Sequence, residues 1–142
     1  MANHIESFNC PGAPKPLGNY AHAVIHGEMI YLSGIASRNP ATNEVPGLRL
    51  DVHGNKTGYD IRAETRGTLE NIRTILEAAG SGMDRVVEIS VYLLEMKDFA
   101  AYNEIFAEFF SRHRPARTTI GVNALPGNIA IEMKVTAVKN EF

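Results

Sequence analysis

Two charged side chains near the C-terminal end of the sequence have types and spacing that could support chemistry on a carboxylic acid. Arg117 and Glu132 lie on two predicted β-strands within residues 114–138, and a Pro126-Gly127 turn separates these strands. Because side chains alternate along a strand, the apolar odd-numbered residues of the second strand share one face and Glu132 lies on the other. The pattern places the guanidinium and the carboxylate on neighbouring strands, on the face away from the core.

This pair has two interpretations from the residue types alone. It can be an exposed cross-strand ion pair on a solvated face. Alternatively, a rigidly held Arg117 can bind a substrate carboxylate through paired hydrogen bonds. A nearby cation would also keep Glu132 ionised, as a general base needs to be. The strand pattern is compatible with both interpretations.

The remaining residue types offer no competing site. His22 and His26 are four residues apart in a predicted strand, a separation of roughly 13 Å that does not suit one metal ion. Cys10 is the single cysteine and has no partner motif. Ser33 and Ser90 lack the GxSxG setting of a hydrolase nucleophile, and the glycines form neither of the common phosphate-binding loops. We therefore predict no metal and no nucleotide cofactor.

The elements that would position the pair follow the order β-β-β-α-β-α-β-β. Asp60 and Asp98 are predicted N-caps of two helices, and Gly80 and Arg114-Pro115 mark their ends. The predicted strands cover residues 5–9, 22–26, 29–33, 86–94, 117–122 and 129–138. This order predicts an α+β fold, a two-layer sandwich in which both helices cover one face of a mixed sheet.

The side chains on the two surfaces of the sandwich are predicted from the same periodicities. On the first helix the charged residues are expected on the solvent side: Arg62, Glu64, Arg66, Glu70, Arg73 and Glu77. The sheet face without helices carries four apolar residues beside charged ones: Tyr92, Leu94, Ala130 and Val138. A half-apolar uncovered face often marks an interface, so self-association is expected.

Residues 35–59 are predicted to form a long polar loop, which in a compact domain is either functional or disordered. The 142 residues suit one domain, residues 1–142. A net charge of −2 and the lack of a basic run argue against nucleic acid or an anionic membrane surface as partner. No apolar run reaches membrane-spanning length and no signal peptide is evident, so a cytoplasmic protein is expected.

Nearly the whole chain resembles the RidA/YjgF family of enamine and imine deaminases. The matching stretches are LGNYAHAV (17–24), MIYLSG (29–34), ETRGTLENIRTILEAAGSGMDRVV (64–87), DFAAYNEIFAEFF (98–110), RPARTT (114–119) and IAIEMKVTAV (129–138). The resemblance implies a chorismate-mutase-like fold and homotrimers, or dimers of trimers, with sites in the clefts between subunits. It also implies activity without metal or organic cofactor. RNA cleavage has been attached to the family, but the acidic balance does not favour it.

The resemblance assigns roles to residues of this sequence. Arg117 matches the arginine that binds the substrate carboxylate, and Glu132 matches the glutamate that activates water. The implied reaction is hydrolytic deamination, in which an enamine tautomerises to an imine and water attacks its C2 carbon. The products are a 2-oxo acid and ammonia.

Further site residues follow from the same matches. Tyr20 corresponds to the lid-side tyrosine, Asn103 to an asparagine early in the second helix, and the backbone at Ser33 and Gly34 to one wall of the cleft. Thr119 stands two positions after the arginine, where the family often has cysteine or valine.

The substrate is the least defined part of the resemblance. After Ser33-Gly34 the family commonly has glutamine, whereas this chain has Ile35, and residues 46–59 form a longer loop. These departures look more like the 2-aminomuconate deaminase branch, whose substrate has two carboxylates. A second cation is then expected, with Arg38 as the first candidate and His22 and Lys134 behind it. The alternatives are a broad-specificity deaminase of 2-imino acids and 2-aminoacrylate, or a non-catalytic ligand-binding trimer.

Overall fold

The computed structural model describes residues 3–141, with eight strands and two α-helices in this range. The strands are β1 (Ile5–Phe8), β2 (Ala23–His26), β3 (Met29–Leu32), β4 (Arg49–Leu50), β5 (Lys56–Gly58), β6 (Val86–Leu93), β7 (Ala116–Gly121) and β8 (Ile131–Val138). The helices are α1 (Ile61–Ala78) and α2 (Phe99–Phe109). Single turns of 3-10 helix at Met83–Arg85 and Met96–Asp98 precede β6 and α2.

Six of the strands form one sheet in the order β1-β2-β3-β8-β6-β7. Every pair is antiparallel except β6 and β7, which are parallel because α2 carries the chain back across the sheet. Both helices pack on one face, and the core between the layers is built from fully buried aliphatic side chains such as Leu69, Ile72, Ile89 and Val135. The predicted α+β sandwich is confirmed.

The strand order corrects the expected relation between Arg117 and Glu132. Strand β6 lies between β7 and β8, so the last two strands are not neighbours. Arg117 is paired with Ile89, which is buried under the helices, whereas Glu132 is paired with Tyr92 on the other face. Residues opposite each other in a ladder point to the same side of the sheet. The two charged side chains therefore point to opposite faces, and the expectation of a shared face is wrong.

Helix α1 begins and ends where the sequence predicts. The Asp60 side chain accepts a hydrogen bond from the Ala63 N–H at 3.0 Å, which satisfies a donor that the first helical turn leaves free. Gly80 follows the helix with a φ of 84°, a conformation that glycine adopts without steric cost. The predicted solvent position of Glu64 is wrong, because this side chain has no exposed surface.

Strand β6 departs from strict alternation at its start. The pairing with β8 shifts between Val86 and Glu88, so Val86 is buried and Val87 is 44% exposed. A bulge adds one residue to one strand of a pair and reverses the facing of the residues before it. Strict alternation along residues 86–94 would place Val87 on the inward face with Ile89, and the bulge prevents this.

Residues 35–59 are ordered rather than structureless. Strands β4 and β5 pair as a separate two-stranded sheet, and the preceding segment lies against α1. Asn71 donates from Nδ2 to the carbonyls of Ala36 and Arg38 at 2.8 and 2.9 Å. A Cβ at Gly67 would lie 3.1 Å from the Ser37 carbonyl, so glycine at this position allows the close approach of the segment.

The other face of the sheet carries no helix. Tyr31, Tyr92, Ile120 and Val138 lie on this open face, and Tyr31 and Ile120 are more than 40% exposed. Ala130 does not belong to it, because it is fully buried against α1. Within residues 3–141 neither helix has the length and apolar content needed to cross a lipid bilayer.

Candidate active site

Glu132 is the second residue of β8 and lies directly beside Gly34. The Ile35 N–H and carbonyl are both hydrogen-bonded to Met133, at 2.8 and 2.9 Å, which fixes Gly34 next to the glutamate side chain. A Cβ at position 34 would lie 2.6 Å from Glu132 Oε2, so only glycine fits without displacing the carboxyl. Partial burial raises the pKa of Glu132 above its ordinary value, as expected for a carboxylate losing hydration.

Glu132 opens into a cleft of about 110 Å³, which we call the glutamate pocket. Three of the residues predicted for the site, Tyr20, Gly34 and Arg38, line it with Glu132. Most other lining groups are apolar or backbone: Pro14, Pro16, Leu17, Ile35, Ala36, Val45, Ile75, Pro126, Gly127, Asn128 and Ile129. A mostly apolar cleft with a few converging polar groups is typical of a small-molecule site.

Hydrogen bonds to the backbone fix the wall around residues 20–34. The Ser33 hydroxyl donates to the Ala21 carbonyl at 2.6 Å, and the Tyr20 hydroxyl accepts from the Leu17 N–H at 3.2 Å. His22 is buried, with Nδ1 accepting from the Cys10 N–H at 2.9 Å and Nε2 2.6 Å from the Pro14 carbonyl. Both ring nitrogens are hydrogen-bonded to these backbone groups, so His22 has no free N–H to offer a second carboxylate.

Arg38 supplies a cation to the wall of the glutamate pocket. Its Nη2 donates to the Lys15 carbonyl at 2.8 Å and its Nη1 donates to the Asn43 side chain. Arg38 and Val45 also line a wider groove of about 530 Å³ between residues 37–48 and α1. Lys134, the other predicted cation, does not line the pocket and donates to the Leu32 carbonyl at 2.8 Å.

Arg117 belongs to a different group of side chains, on the helix side of the sheet. Its guanidinium carbon lies 4.6, 5.3 and 5.6 Å from the ring centroids of Phe106, Tyr102 and Phe99 on α2. Nη1 donates to the Asn103 side-chain oxygen at 2.8 Å. Cation–π contacts with three rings and one hydrogen bond hold the guanidinium plane, while no acidic side chain among residues 3–141 forms an ion pair with it.

Thr119 completes this group, which we call the arginine patch: Arg117, Asn103 and Thr119 with the rings of Phe99, Tyr102 and Phe106. The Thr119 hydroxyl is hydrogen-bonded to the Tyr102 hydroxyl. Burial is the main cause of a raised pKa for Tyr102, so the phenol stays protonated. The arginine patch is therefore a cation packed against aromatic rings and held by side-chain hydrogen bonds.

The predicted site residues therefore form two groups. Tyr20, Gly34, Arg38 and Glu132 line the glutamate pocket, and Asn103, Arg117 and Thr119 are in the arginine patch. Ser33 precedes Gly34 but does not line the pocket, because its hydroxyl donates to the Ala21 carbonyl. The sheet separates the two groups within one chain. No cluster of three or more potential metal-ligating side chains occurs in the described range.

One buried group near the pocket was not predicted from the sequence. Glu64 Oε1 accepts a hydrogen bond from the Ala130 N–H at 2.8 Å, two residues before Glu132. The spacing in α1 does indicate that Glu64 is buried, because it lies on one buried stripe at helical spacing with Ile61, Thr68, Ile72 and Ile75. The charged residue type favoured the solvent side, and the spacing favoured the core.

Comparison with known proteins gives a consistent result. Residues 10–139 match the family described as Endoribonuclease L-PSP. A RutC family protein from Pyrococcus horikoshii is 40% identical over 127 residues, which are 89% of this chain and 92% of the relative. A 2-iminobutanoate/2-iminopropanoate deaminase from Dermatophagoides farinae is 37% identical over 131 residues, 92% and 94% of the two chains. The crystal structure of the YjgF gene product from Escherichia coli aligns with a TM-score of 0.83 at 33% identity, covering 95% of this chain and 99% of that one.

Proposed function

The chain belongs to the Endoribonuclease L-PSP family, which includes RidA/YjgF, and from this membership we propose that it is a deaminase of 2-imino acids and their enamine tautomers. The observation that carries the proposal is Glu132, a half-buried carboxyl that lies over Gly34 in a mostly apolar cleft. The relative named as a 2-iminobutanoate/2-iminopropanoate deaminase supports the same reaction class. Small 2-imino acids of broad range are the proposed substrates.

The proposed chemistry needs one base and one carboxylate-binding group. Arg117 binds the 1-carboxylate of the imine through paired hydrogen bonds. Glu132 takes a proton from a water molecule, whose oxygen forms a bond with C2 to give a carbinolamine. The imine nitrogen takes this proton from Glu132 as the C=N double bond opens, which completes the carbinolamine. Glu132 then takes the proton of the C2 hydroxyl and passes it to the nitrogen as the C–N bond breaks and the C2=O bond forms, so the products are a 2-oxo acid and ammonia. Raising the pKa of Glu132 toward the working pH strengthens it as a base.

We propose that the two groups meet between subunits of a homotrimer. Within one chain Arg117 and Glu132 point to opposite faces of the sheet, so the arginine patch of one subunit would complete the glutamate pocket of the next. The half-apolar open face supports assembly, because it would otherwise leave Tyr31 and Ile120 in water. Pairing of trimers into hexamers is compatible with this arrangement.

Mixed assemblies test both the residues and their location. Arg117→Ala and Glu132→Gln should each lower kcat/KM for 2-iminopropanoate at least ~10²-fold, because each removes a charged hydrogen-bonding group. In trimers co-assembled from the two variants, about a quarter of the shared sites would receive both native residues, as random pairing at a heterologous interface dictates. Ammonia release should then recover to that fraction.

The controls separate the possible outcomes. Native mass spectrometry of differently tagged subunits establishes that the two variants have mixed. Mixed trimers as inactive as their parents would refute the site between subunits. A wild-type rate for Glu132→Gln would remove this residue as the base, whatever the assembly does.

A second candidate substrate is 2-aminomuconate, which carries two carboxylates. The observation that favours it is Arg38, which lines the glutamate pocket and adjoins the wider groove along α1. Arginine presents several N–H donors in a planar fork, and two neutral acceptors use only part of them. Arg38→Ala should raise KM for 2-aminomuconate more than KM for 2-aminoacrylate. An equal effect on both substrates would remove Arg38 from this role.

A non-catalytic ligand-binding trimer is the alternative of another class. For that function neither a base nor a water path to the bound carboxylate is needed. The presence of both Arg117 and Glu132 counts against it. Binding of a stable carboxylate such as 2-oxobutanoate, together with no ammonia release from imines, would favour this alternative.

A further inference from the structure

Glu64 is a carboxyl group enclosed in the core with only one of its oxygens bonded. Its side chain has no exposed surface, and Oε1 accepts from the Ala130 N–H at 2.8 Å. Within residues 3–141 Oε2 has no hydrogen-bond partner. Burial raises the pKa of Glu64 to about 7, and the Ala130 hydrogen bond offsets this only in part. A buried carboxylate with a free oxygen is costly, so Glu64 stays protonated to a higher pH than an exposed glutamate.

The Ala130 N–H that Glu64 binds is at the entry to the strand that carries Glu132. The Ala130 carbonyl is hydrogen-bonded to the sheet layer, where it accepts from the Leu94 N–H at 3.0 Å. The Ala130 N–H, by contrast, donates to Glu64 on α1. The residues just before it, 126–129, form one wall of the glutamate pocket. Glu64 therefore fastens this wall, which we call the 126–130 segment, to the helix layer.

The charged groups around Glu64 do not offer a counterion. Asp98 and Asp60 raise its pKa further, and among residues 3–141 Lys56 is the cation that lowers it. Lys56 lies 4.6 Å above the Tyr59 ring, and the Tyr59 hydroxyl donates to the Asp98 carboxylate at 2.6 Å. The Asp60 side chain caps α1. No salt bridge to Glu64 is formed among the described residues.

We propose that Glu64 is a proton-linked positioning residue, which holds the 126–130 segment against α1 and thereby keeps the glutamate pocket in shape. When the segment opens, water reaches the carboxyl and its pKa returns to an ordinary value near 4.5. The closed form binds the proton more tightly than the open form. Closure is therefore favoured in acid and weakens as the pH rises.

The size of the effect follows from linkage between proton binding and opening. Between the open-state pKa near 4.5 and the closed-state pKa of about 7, the ratio of open to closed forms rises with pH, by at most ~10-fold per pH unit. Above pH 7 both forms are ionised and the ratio becomes constant. Across the whole window the ratio changes by roughly two to three orders of magnitude.

Amide hydrogen exchange of Ala130 measures this opening directly. After correction for the intrinsic exchange rate, protection of the Ala130 N–H in the wild-type protein should fall ~40-fold in total from pH 5 to 7. Glu64→Gln keeps an oxygen acceptor at the same place and cannot ionise, so its protection should not change with pH. Glu77→Gln, an exposed glutamate on the same helix, is the matched control and should behave as wild type.

Two results would overturn the proposal. One is wild-type protection at Ala130 that stays constant between pH 5 and 7. The other is a Glu64→Gln protein with the same pH slope as wild type. Glu64→Ala provides a further measurement, because it leaves the Ala130 N–H without an acceptor and should lower protection at every pH.

The consequence for catalysis rests on the proposed deaminase function and is tested separately. The ratio of kcat/KM between Glu64→Gln and wild type should rise from pH 5 to 7 as the wild-type segment loosens. A role confined to folding would change both values by the same factor at every pH. If no deaminase activity is found, the exchange measurement on Ala130 still decides whether Glu64 is proton-linked.

Discussion

Replacing Arg117 by lysine keeps a positive charge in the arginine patch and removes the planar fork. In the structure the guanidinium lies against Phe106, Tyr102 and Phe99 and gives one N–H to Asn103. This arrangement fixes the plane and leaves the other N–H groups for a substrate carboxylate. A lysine ammonium is a point charge on a flexible stem, so it cannot keep the Asn103 contact and form a bidentate pair together.

The expected magnitude comes from the hydrogen bonds that the substrate would lose. A hydrogen bond to a charged group contributes about 1.5–3 kcal/mol. Loss of the paired geometry should therefore lower kcat/KM at least ~10²-fold, since 1.4 kcal/mol corresponds to about tenfold. The fold should be little affected, because a cation over the rings at a partly exposed position contributes only about 0.5–1 kcal/mol.

The assay is ammonia and 2-oxo acid release from 2-iminopropanoate generated in solution, with thermal melting measured on the same samples. Arg112→Lys is the matched control, because this exposed arginine lies outside the arginine patch and should keep the wild-type rate. Near-wild-type kcat/KM for Arg117→Lys would show that a point charge suffices. The proposed bidentate binding of the substrate carboxylate by Arg117 would then be wrong. A large loss with an unchanged melting temperature would support it.

Three further substitutions are predicted to act at single contacts. Gly34→Ala places a Cβ 2.6 Å from Glu132 Oε2, so kcat should fall at least ~10-fold; an unchanged kcat would show that the carboxyl position is not critical. His22→Ala leaves the buried Cys10 N–H without its acceptor and should cost about 1–3 kcal/mol in urea unfolding. Ser37→Ala removes a buried hydroxyl that has no partner within residues 3–141, and unfolding free energy should stay the same or rise; a clear loss would reveal a missing partner.

Local periodicity accounts for the part of the fold that the sequence predicts well. The spacing of Leu69, Ile72, Ile75 and Leu76 is a property of one helix, and Asp60 caps that helix through a contact three residues away. Neither feature depends on the rest of the chain. Strand pairing does depend on it, and the placement of β6 between β7 and β8 has no local signal.

The facing of Arg117 illustrates the same limit at the site. Strand β7 is an edge strand with the sequence ARTTIG, in which polar residues occur on both faces. A strand of this composition has no apolar side to identify the core, so alternation gives the two faces without saying which is inward. Only its pairing with Ile89 places Arg117 on the helix side.

Glu64 shows how residue type can mislead where spacing is informative. A charged residue in an amphipathic helix is usually solvated, and the exposed pairs Arg62–Glu104 and Arg66–Glu108 between the two helices follow this rule. Glu64 is the exception, because the Ala130 N–H needs a hydrogen-bond acceptor and Glu64 provides it. A buried donor outside the sheet ladder requires an acceptor, and this requirement appears only once the strand entry is known.

The sheet order also restricts how the proposed site can form. Strands β7 and β8 are separated by two inter-strand spacings, about 10 Å, and their charged side chains point to opposite faces. A rotamer change at Arg117 or Glu132 cannot bridge this arrangement, because the sheet itself lies between them. The proposed two-residue site therefore requires a second copy of the chain. Dilution below the dissociation constant of the oligomer should abolish deaminase activity, while the far-UV circular dichroism of the sandwich persists. Activity that survives in isolated subunits would contradict the shared site.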